Sequence, residues 1–498
     1  MTIKNAGSIP AKRALIIGAG IAGIATAIRL QLKGYQVLVI EANTYPGGKL
    51  TVIEQDGYRF DAGPSLFTMP HFVDELFALA GKNPRKYFNY IKKNESCRYF
   101  WDDGVQLTAS ADQNEFAGEV ERKLGVPAKA VIKRLQQSRK IFELAGGIFM
   151  EKPLNRLATW FSKDVLKSLL NLHQLSLFST MHQANTAALK NPKLVQLFDR
   201  YATYNGSDPY RAPGILNIIP HLEHGVGTFL PQEGMYQITS SLVKLAEDLG
   251  VRFNLNERVE EILLKDQKVT GVRSSKGIHT ADLVISNMDV TPTYRKLLPL
   301  VKAPERKLSQ ERSSSALIFY WGIKAEFEQL GLHNIFFSKN YRKEFQDIFE
   351  GIVPPDDPTV YVNITSKDIP SDAPKGCENW FVMVNVPPHS DQDWQQLIPL
   401  YRERIISKLN KILVTDLSPL INTEATLSPL EIELKTSSAG GSLYGTSSNS
   451  RYAAFLRHTN DHQSIEGLYF TGGSVHPGGG IPLCLLSAKI VSEITPNL

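Results

Sequence analysis

The first ordered pattern along the chain is an apolar run at residues 14–17, followed by Gly18, Gly20 and Gly23, then a stretch of helical character to about Lys33. Gly34 ends that stretch, and a second apolar run at 36–40 closes on Glu41. Short apolar runs bounded by turn residues read as strands buried on both faces, so strand, helix and strand predict a parallel βαβ unit. The pattern returns far downstream. After a loop at 225–235 come a predicted helix at 238–249, a stop at Gly250, a strand at 251–255, a hairpin-like pair at 268–273 and 278–280, and an apolar run at 282–287. Near the C-terminus, 467–473 reads as strand then turn, 477–482 as a Gly/Pro loop and 483–494 as a helix. The three stretches 10–75, 225–300 and 445–498 are therefore expected to form one discontinuous α/β domain. Two insertions remain. Residues 76–224 are mostly helical in pattern. Residues 301–444 mix helices with strand candidates at 316–323, 359–363 and 380–386, rich in β-branched and aromatic residues.

Composition narrows the class. Of 498 residues, 42% are apolar and 21% charged, ordinary for a folded protein with two or three domains. The formal charge of +5 comes with no basic stripe interleaved with aromatics, which argues against a nucleic-acid partner. Cys97, Cys377 and Cys484 lie far apart with no CxxC pair, and the histidines include no HExxH. A thiolate metal site and a disulfide framework are not expected, and a reducing compartment fits. No apolar run is long enough for a spanning helix, and no secretory signal is visible.

The glycines carry the chemistry. In GxGxxG spacing between a strand and a helix, Gly18 permits the tight turn, Gly20 lets backbone approach a pyrophosphate, and Gly23 lets helix and strand pack closely. The helix start offers free N–H groups to phosphate, and Glu41 is placed to accept from ribose hydroxyls, which disfavours NADP. Gly47 and Gly48 follow, with Lys49 able to neutralise a second phosphate, and then Asp61-Ala62-Gly63-Pro64-Ser65. This arrangement resembles the flavin amine oxidase and carotenoid desaturase superfamily, in which E-x(5)-GG-[RK] and a downstream D-x-G-P segment line FAD. Arg is usual after the glycine pair; Lys49 keeps the charge and loses the bidentate geometry.

The likeness sharpens at Leu468–Pro482, LYFTGGSVHPGGGIP, which resembles the signature of phytoene desaturase-type carotenoid desaturases. Tyr204-Asn205-Gly206 and Gly440-Gly441-Ser442-Leu443-Tyr444-Gly445 match as well. Ser474-Val475 before the His-Pro pair, and Leu483-Cys484-Leu485-Leu486 after Pro482, resemble the hydroxycarotenoid 3,4-desaturase branch. Glu233 and His458 depart from the family pattern. The resemblance implies a Rossmann-type FAD domain with inserted substrate-binding and membrane-associated regions. It implies FAD contacts at Gly18, Gly20, Gly23, Glu41, Gly47, Gly48, Lys49, Gly63, Pro64, Ser65, Val259 (through its backbone, at the adenine), Asn287, Gly472, Gly473, Gly480, Ile481 and Pro482. The implied activity is desaturation of a carotenoid at the 3,4 bond of a 1-hydroxylated acyclic end, with a quinone or dioxygen as electron acceptor. Phytoene or neurosporene desaturation, carotenoid isomerisation, amine oxidation and non-catalytic prenyl-lipid carriage share the scaffold.

Two residues are candidates for acid–base work. His476 sits in the C-terminal motif, where it either moves a proton or satisfies backbone groups beside Pro477. Glu233 either approaches the ring or a substrate hydroxyl, or serves at a surface or helix cap. Asp208 and Arg211 read as a local pair on a turn. A lipid-soluble substrate also requires membrane access. Residues 152–172 place Lys152, Arg156, Lys163 and Lys167 on one helical face and Leu154, Leu157, Phe161, Val165, Leu169 and Leu172 on another. That is the pattern of a basic amphipathic helix lying on an anionic bilayer, here the cytoplasmic side of the membrane.

Overall fold

The computed structural model describes residues 12–151, 175–450 and 452–498. Five parallel strands form the first sheet: β1 (Arg13–Ile17), β2 (Gln36–Ile40), β3 (Arg252–Asn254), β4 (Leu283–Ser286) and β5 (Leu468–Phe470). Their order is β5-β4-β1-β2-β3, with Leu15 flanked by Val284 and Leu38. Every strand comes from one of the three expected stretches. The central strands are buried on both faces, which is why they read as unbroken apolar runs.

Helix α1 (Ile21–Leu32) exposes little of its surface, since it lies between the sheet, α2 (Tyr236–Asp248) and α3 (Ile481–Ile494). Ile24, Ala25 and Ile28 share one core with Leu242, Leu245, Leu485 and Ala488. The small residues Gly23, Ala25 and Ala27 are what allow this close approach. The hairpin at 268–280 sits beside the sheet as part of a three-stranded sheet with Val259–Lys265.

A second sheet of seven strands covers the cleft. Its order is Ile421–Leu427, Ser315–Ile323, Glu378–Val386, Val360–Asn363, His333–Phe336, Glu95–Phe100, Gln106–Ser110. Leu317, Phe319, Trp321, Val382 and Val384 pack on the helix Trp394–Leu413, while Ile318, Tyr320 and Phe381 point the other way. The three strand candidates between 301 and 444 appear within two residues of their expected limits.

The stretch 76–224 is mostly helical among its described residues, with helices at Gln113–Leu124, Ala128–Glu151, Met181–Leu189 and Pro192–Asp199, and it also carries strands that its pattern did not announce. It supplies Tyr90–Lys92, Glu95–Phe100 and Gln106–Ser110, two of which extend the seven-stranded sheet. Glu95–Phe100 is covered on both faces and so lacks the polar–apolar alternation that would have marked it. The amphipathic segment 152–172 lies outside the described residues. Among the described residues, no helix is long and apolar enough to cross a membrane.

Candidate active site

The chain leaves β1 through Gly18, at φ +96°, whose N–H donates to the Ile40 carbonyl at 2.8 Å. Helix α1 then starts at Gly20 with no side chain capping it. A Cβ on Gly20 would lie 2.7 Å from Asn287 Nδ2, and one on Gly23 would lie 2.3 Å from the Gly18 carbonyl oxygen. Asn287 in turn donates to that carbonyl at 3.2 Å. Glu41 ends β2. One of its oxygens accepts from the Ala19 N–H at 2.7 Å, and the other from the N–H and the side-chain amide of Asn43, both at 2.9 Å. A carboxylate offers about four lone-pair sites, so acceptor capacity is left toward the cleft.

The next loop is pressed onto this one. Gly47, at φ +114°, leaves 2.2 Å between a would-be Cβ and the Leu50 carbonyl, and Gly63 leaves only 1.7 Å to the Lys49 carbonyl. The Lys49 ammonium donates to the Ser442 and Leu443 carbonyls at 2.8 and 3.0 Å. Burial lowers it to about 8, against the pull of Asp289 and Cys484. From the C-terminal side, β5 runs into Gly472, whose N–H donates to Ser487 Oγ at 3.1 Å. Asn460 Nδ2 ties Phe470, His476 and Ser487 together at 2.9 to 3.2 Å. Helix α3 begins after Gly480, again with no side-chain cap. Two helix N-termini thus open on one cleft with their N–H groups unclaimed by side chains.

That cleft continues into a cavity of about 1280 Å³. One end is lined by Gly18, Gly20, Glu41, Gly47, Gly48 and Lys49, with Gly63, Pro64, Ser65, Val259 and Asn287. Gly472, Gly473, Gly480, Ile481 and Pro482 line the middle. Gly23 lies behind, where it serves packing. Ile318, Phe381 and Met383 from the second sheet, with Leu175, Ile215 and Ile219, make the remaining wall largely apolar.

Residues 21–494 match the family of flavin containing amine oxidoreductases. The chain belongs to that family. As an FAD-dependent oxidoreductase it is 53% identical to a 1-hydroxycarotenoid 3,4-desaturase of a Flavobacterium species, over 98% of this chain and 99% of that protein. It is 34% identical to a 4,4'-diapolycopene oxygenase of a Methylomonas species, over 97% of each. Among solved structures, an oxidoreductase from Methanosarcina mazei shares the fold with a TM-score of 0.62 at 15% identity, covering 97% of this chain and all of that one.

The residues present fit FAD. The uncapped starts of α1 and α3, the glycines that a Cβ would fill and the Glu41 carboxylate are the donors, spaces and acceptors that a dinucleotide needs.

Neither acid–base candidate of this flavoprotein lines the cavity. Glu233 is exposed on the surface, and the cap of α2 is Asp61, whose carboxylate accepts from the N–H groups of Met235 and Tyr236 at 2.7 and 3.0 Å. His476 is buried with its backbone held by His458 and Asn460. Asp208 and Arg211 are not paired with each other. Arg211 reaches Glu311 at 2.9 Å, while Asp208 is buried, accepts from the Tyr210 N–H, and is raised by burial to about 6. His458 is absorbed into the core between the Tyr294 hydroxyl and the Thr459 carbonyl.

The cavity wall holds polar residues that no motif announced. Arg200 borders it, 5% exposed, with its guanidinium over the rings of Tyr99, Tyr201 and Tyr204. Behind it lies Glu223, 3.4 Å away and also bonded to the hydroxyls of Tyr201 and Tyr204. Burial alone would raise the Glu223 carboxyl, but Arg200, His224 and the two hydroxyls outweigh it and hold the group below the ordinary range. Beside them, Ser65, Tyr361 and His333 form a hydrogen-bond chain with two links of 2.7 Å. These residues are gathered from positions spread between 65 and 361, and only Ser65 and Tyr204 fall in a recognisable motif.

Proposed function

We propose that this oxidoreductase introduces a 3,4 double bond into the acyclic end of a 1-hydroxycarotenoid. The observation that carries the reading is the continuity of the dinucleotide cleft with a large apolar cavity, in a chain so similar to a desaturase of that name. In this reading, Gly18, Gly20 and Glu41 bind the ADP half of FAD, with Val259 at the adenine. Gly47 to Lys49, Gly63 to Ser65 and Asn287 carry the middle of the cofactor, and Gly472, Gly473 and Gly480 to Pro482 seat the ring. The stretches 10–75, 225–300 and 445–498 make up the FAD domain, and 76–224 and 301–444 the substrate side.

Bound FAD supplies a hydride acceptor. The substrate carbon chain loses two hydrogens, one as hydride and one as a proton from the neighbouring carbon. Because the site of hydride loss is allylic to a polyene, developing positive charge spreads along the substrate. The protein's task is then to orient the chain and exclude water, which Ile318, Phe381 and Met383 do, and a strong dedicated base is not required. Access is from the cytoplasmic side of a membrane to which the enzyme binds peripherally. Met150 and Leu175, on either side of the amphipathic segment, both line the cavity, and Phe178 nearby is exposed. A quinone or dioxygen reoxidises the enzyme.

The test is to supply the purified holoenzyme with a 1-hydroxycarotenoid, the same carotenoid without the hydroxyl, and phytoene, and to read product masses. Loss of two hydrogens from the first, with much slower reaction of the second and scarcely any of the third, is expected. Products heavier by oxygen would place the activity with the oxygenases, and unchanged mass with an isomerase. Binding to anionic liposomes should weaken at high salt and on charge reversal of Lys163 and Lys167.

A further inference from the structure

Among the polar groups of a largely apolar wall, one hydrogen-bonded chain ends on a residue that lines the open space. His333 is 4% exposed overall and lines the cavity. Its Nδ1 meets the Tyr361 hydroxyl at 2.7 Å and the Asn363 side-chain nitrogen at 3.2 Å. The Asn363 nitrogen also donates to the Leu332 carbonyl at 2.9 Å, which fixes it as the NH₂ end of the amide. An NH₂ group only donates, so Nδ1 is the bare nitrogen and the ring proton is on Nε2. Tyr361 therefore donates to Nδ1, and its oxygen receives from Ser65, 2.7 Å away. The three groups make one polarised chain, Ser65 to Tyr361 to His333, and Nε2–H has no partner among the described residues.

We propose that His333 Nε2–H is the donor that recognises the tertiary hydroxyl of the substrate, held in place by Tyr361, Asn363 and Ser65. This rests on the desaturase reading above and names the residue that makes it selective. Three features support it. The chain is anchored at Ser65, two residues beyond Gly63, in the loop pressed on Lys49. The hydroxyl-bearing carbon is one carbon removed from the 3,4 bond, so its partner has to stand close to the reacting carbons, on the wall that the Ser65 loop joins to the cofactor cleft. Burial lowers the His333 imidazole to about 4, so it is a neutral hydrogen-bond donor rather than a cation facing a polyene. The neighbouring Arg200 directs its terminal Nη1 and Nη2 groups to Tyr99, Tyr204 and Glu223, and its Nε is buried away from the cavity surface.

The measurement is the ratio of kcat/KM for the 1-hydroxycarotenoid to that for the analogue lacking the hydroxyl, on flavin-loaded enzyme. A site built around a substrate hydroxyl discriminates strongly against its absence, because the protein donor is then left unpaired. His333→Phe should collapse the wild-type preference by about 10²-fold. His333→Gln, which restores an N–H donor, should recover part of it. Tyr361→Phe, which leaves Nδ1 only its Asn363 bond, should fall between. A purely structural role would lower both rates and leave the ratio alone. If His333→Phe fails to retain flavin, the other two variants carry the test. A wild-type preference that survives in every flavin-retaining variant overturns the assignment of His333 alone. No preference in the wild type removes the substrate reading and this assignment with it.

Discussion

The two ends of the cavity are built on different principles. The nucleotide end is backbone: N–H groups at two helix starts, carbonyls that close on one another, and glycines whose missing Cβ leaves the room, with Glu41 as the main side-chain contribution. The wall opposite is side chain: Arg200, Tyr204, His333 and Tyr361, each supported by partners of its own. A backbone site has a sharp tolerance, because a single added carbon meets atoms that cannot move. A side-chain site can be tuned by exchange of its members, and the similar proteins include both a desaturase and an oxygenase by name. Substitutions at the first end should therefore abolish the holoenzyme, and substitutions at the second should change stability or selectivity.

The largest effect is expected at Gly23. Its Cβ would stand 2.3 Å from the Gly18 carbonyl, in the turn that shapes the start of α1. Gly23→Val should reduce flavin content per purified chain by more than about tenfold, read from flavin absorbance against protein. Full flavin occupancy in that variant would break the contrast, since it would mean that this turn yields as a side chain would.

Arg200→Met tests the other end. It leaves the Glu223 carboxylate, 1% exposed, without its cation. Removing one partner of a buried pair costs about 3–5 kcal/mol, so a large fall in the unfolding midpoint is expected. The pH dependence has a definite sign. Glu223 is held below its ordinary range in the folded chain, so its contribution is present above that range and is lost as pH falls through the lowered value. Without Arg200 the burial that raises Glu223 prevails, so the deficit of Arg200→Met against the wild type should begin to shrink above the ordinary glutamate range and go on shrinking down to the lowered wild-type value, and the double variant with Glu223→Gln should recover much of it at neutral pH. A deficit constant with pH would separate Arg200 from Glu223.

The same contrast explains what could be read in advance. Gly18, Gly20, Gly23 and Glu41 lie within one βαβ unit, so their spacing along the chain is their spacing in the site. The parallel sheet and the flanking helices followed from the same runs. His333 and Arg200 had no such signal. His333 lies on a four-residue strand buried throughout, and its partners Tyr361 and Ser65 are brought to it by sheet pairing and by the loop that follows Asp61. His476 drew attention by standing in a motif, yet what that motif contributes is its glycine backbone, and the imidazole is packed behind it. Glu233 stood where glycine is usual, but the cap it was a candidate for is made by Asp61, far away in sequence.

The smallest effect is expected at the seam between the two ends. Lys49 leaves the nucleotide loop and donates to carbonyls of Ser442 and Leu443, in the segment that closes the opposite side. Its ammonium is lowered from 10.5 to about 8, first by burial and then by Arg312, with Asp289 and Cys484 opposing. In the flavin-free chain, folding then expels a proton between those two values. Where the unfolded chain binds more protons than the folded one, stability rises with pH. The wild type should gain on Lys49→Met by about 3 kcal/mol as pH rises from 8 to 10.5, and the gap should be flat below pH 8, where both states hold the proton. Chemical denaturation of both proteins at a series of pH values reads this directly. A gap independent of pH throughout would mean that Lys49 keeps its full charge at the seam, and that the two carbonyls compensate its burial without any phosphate.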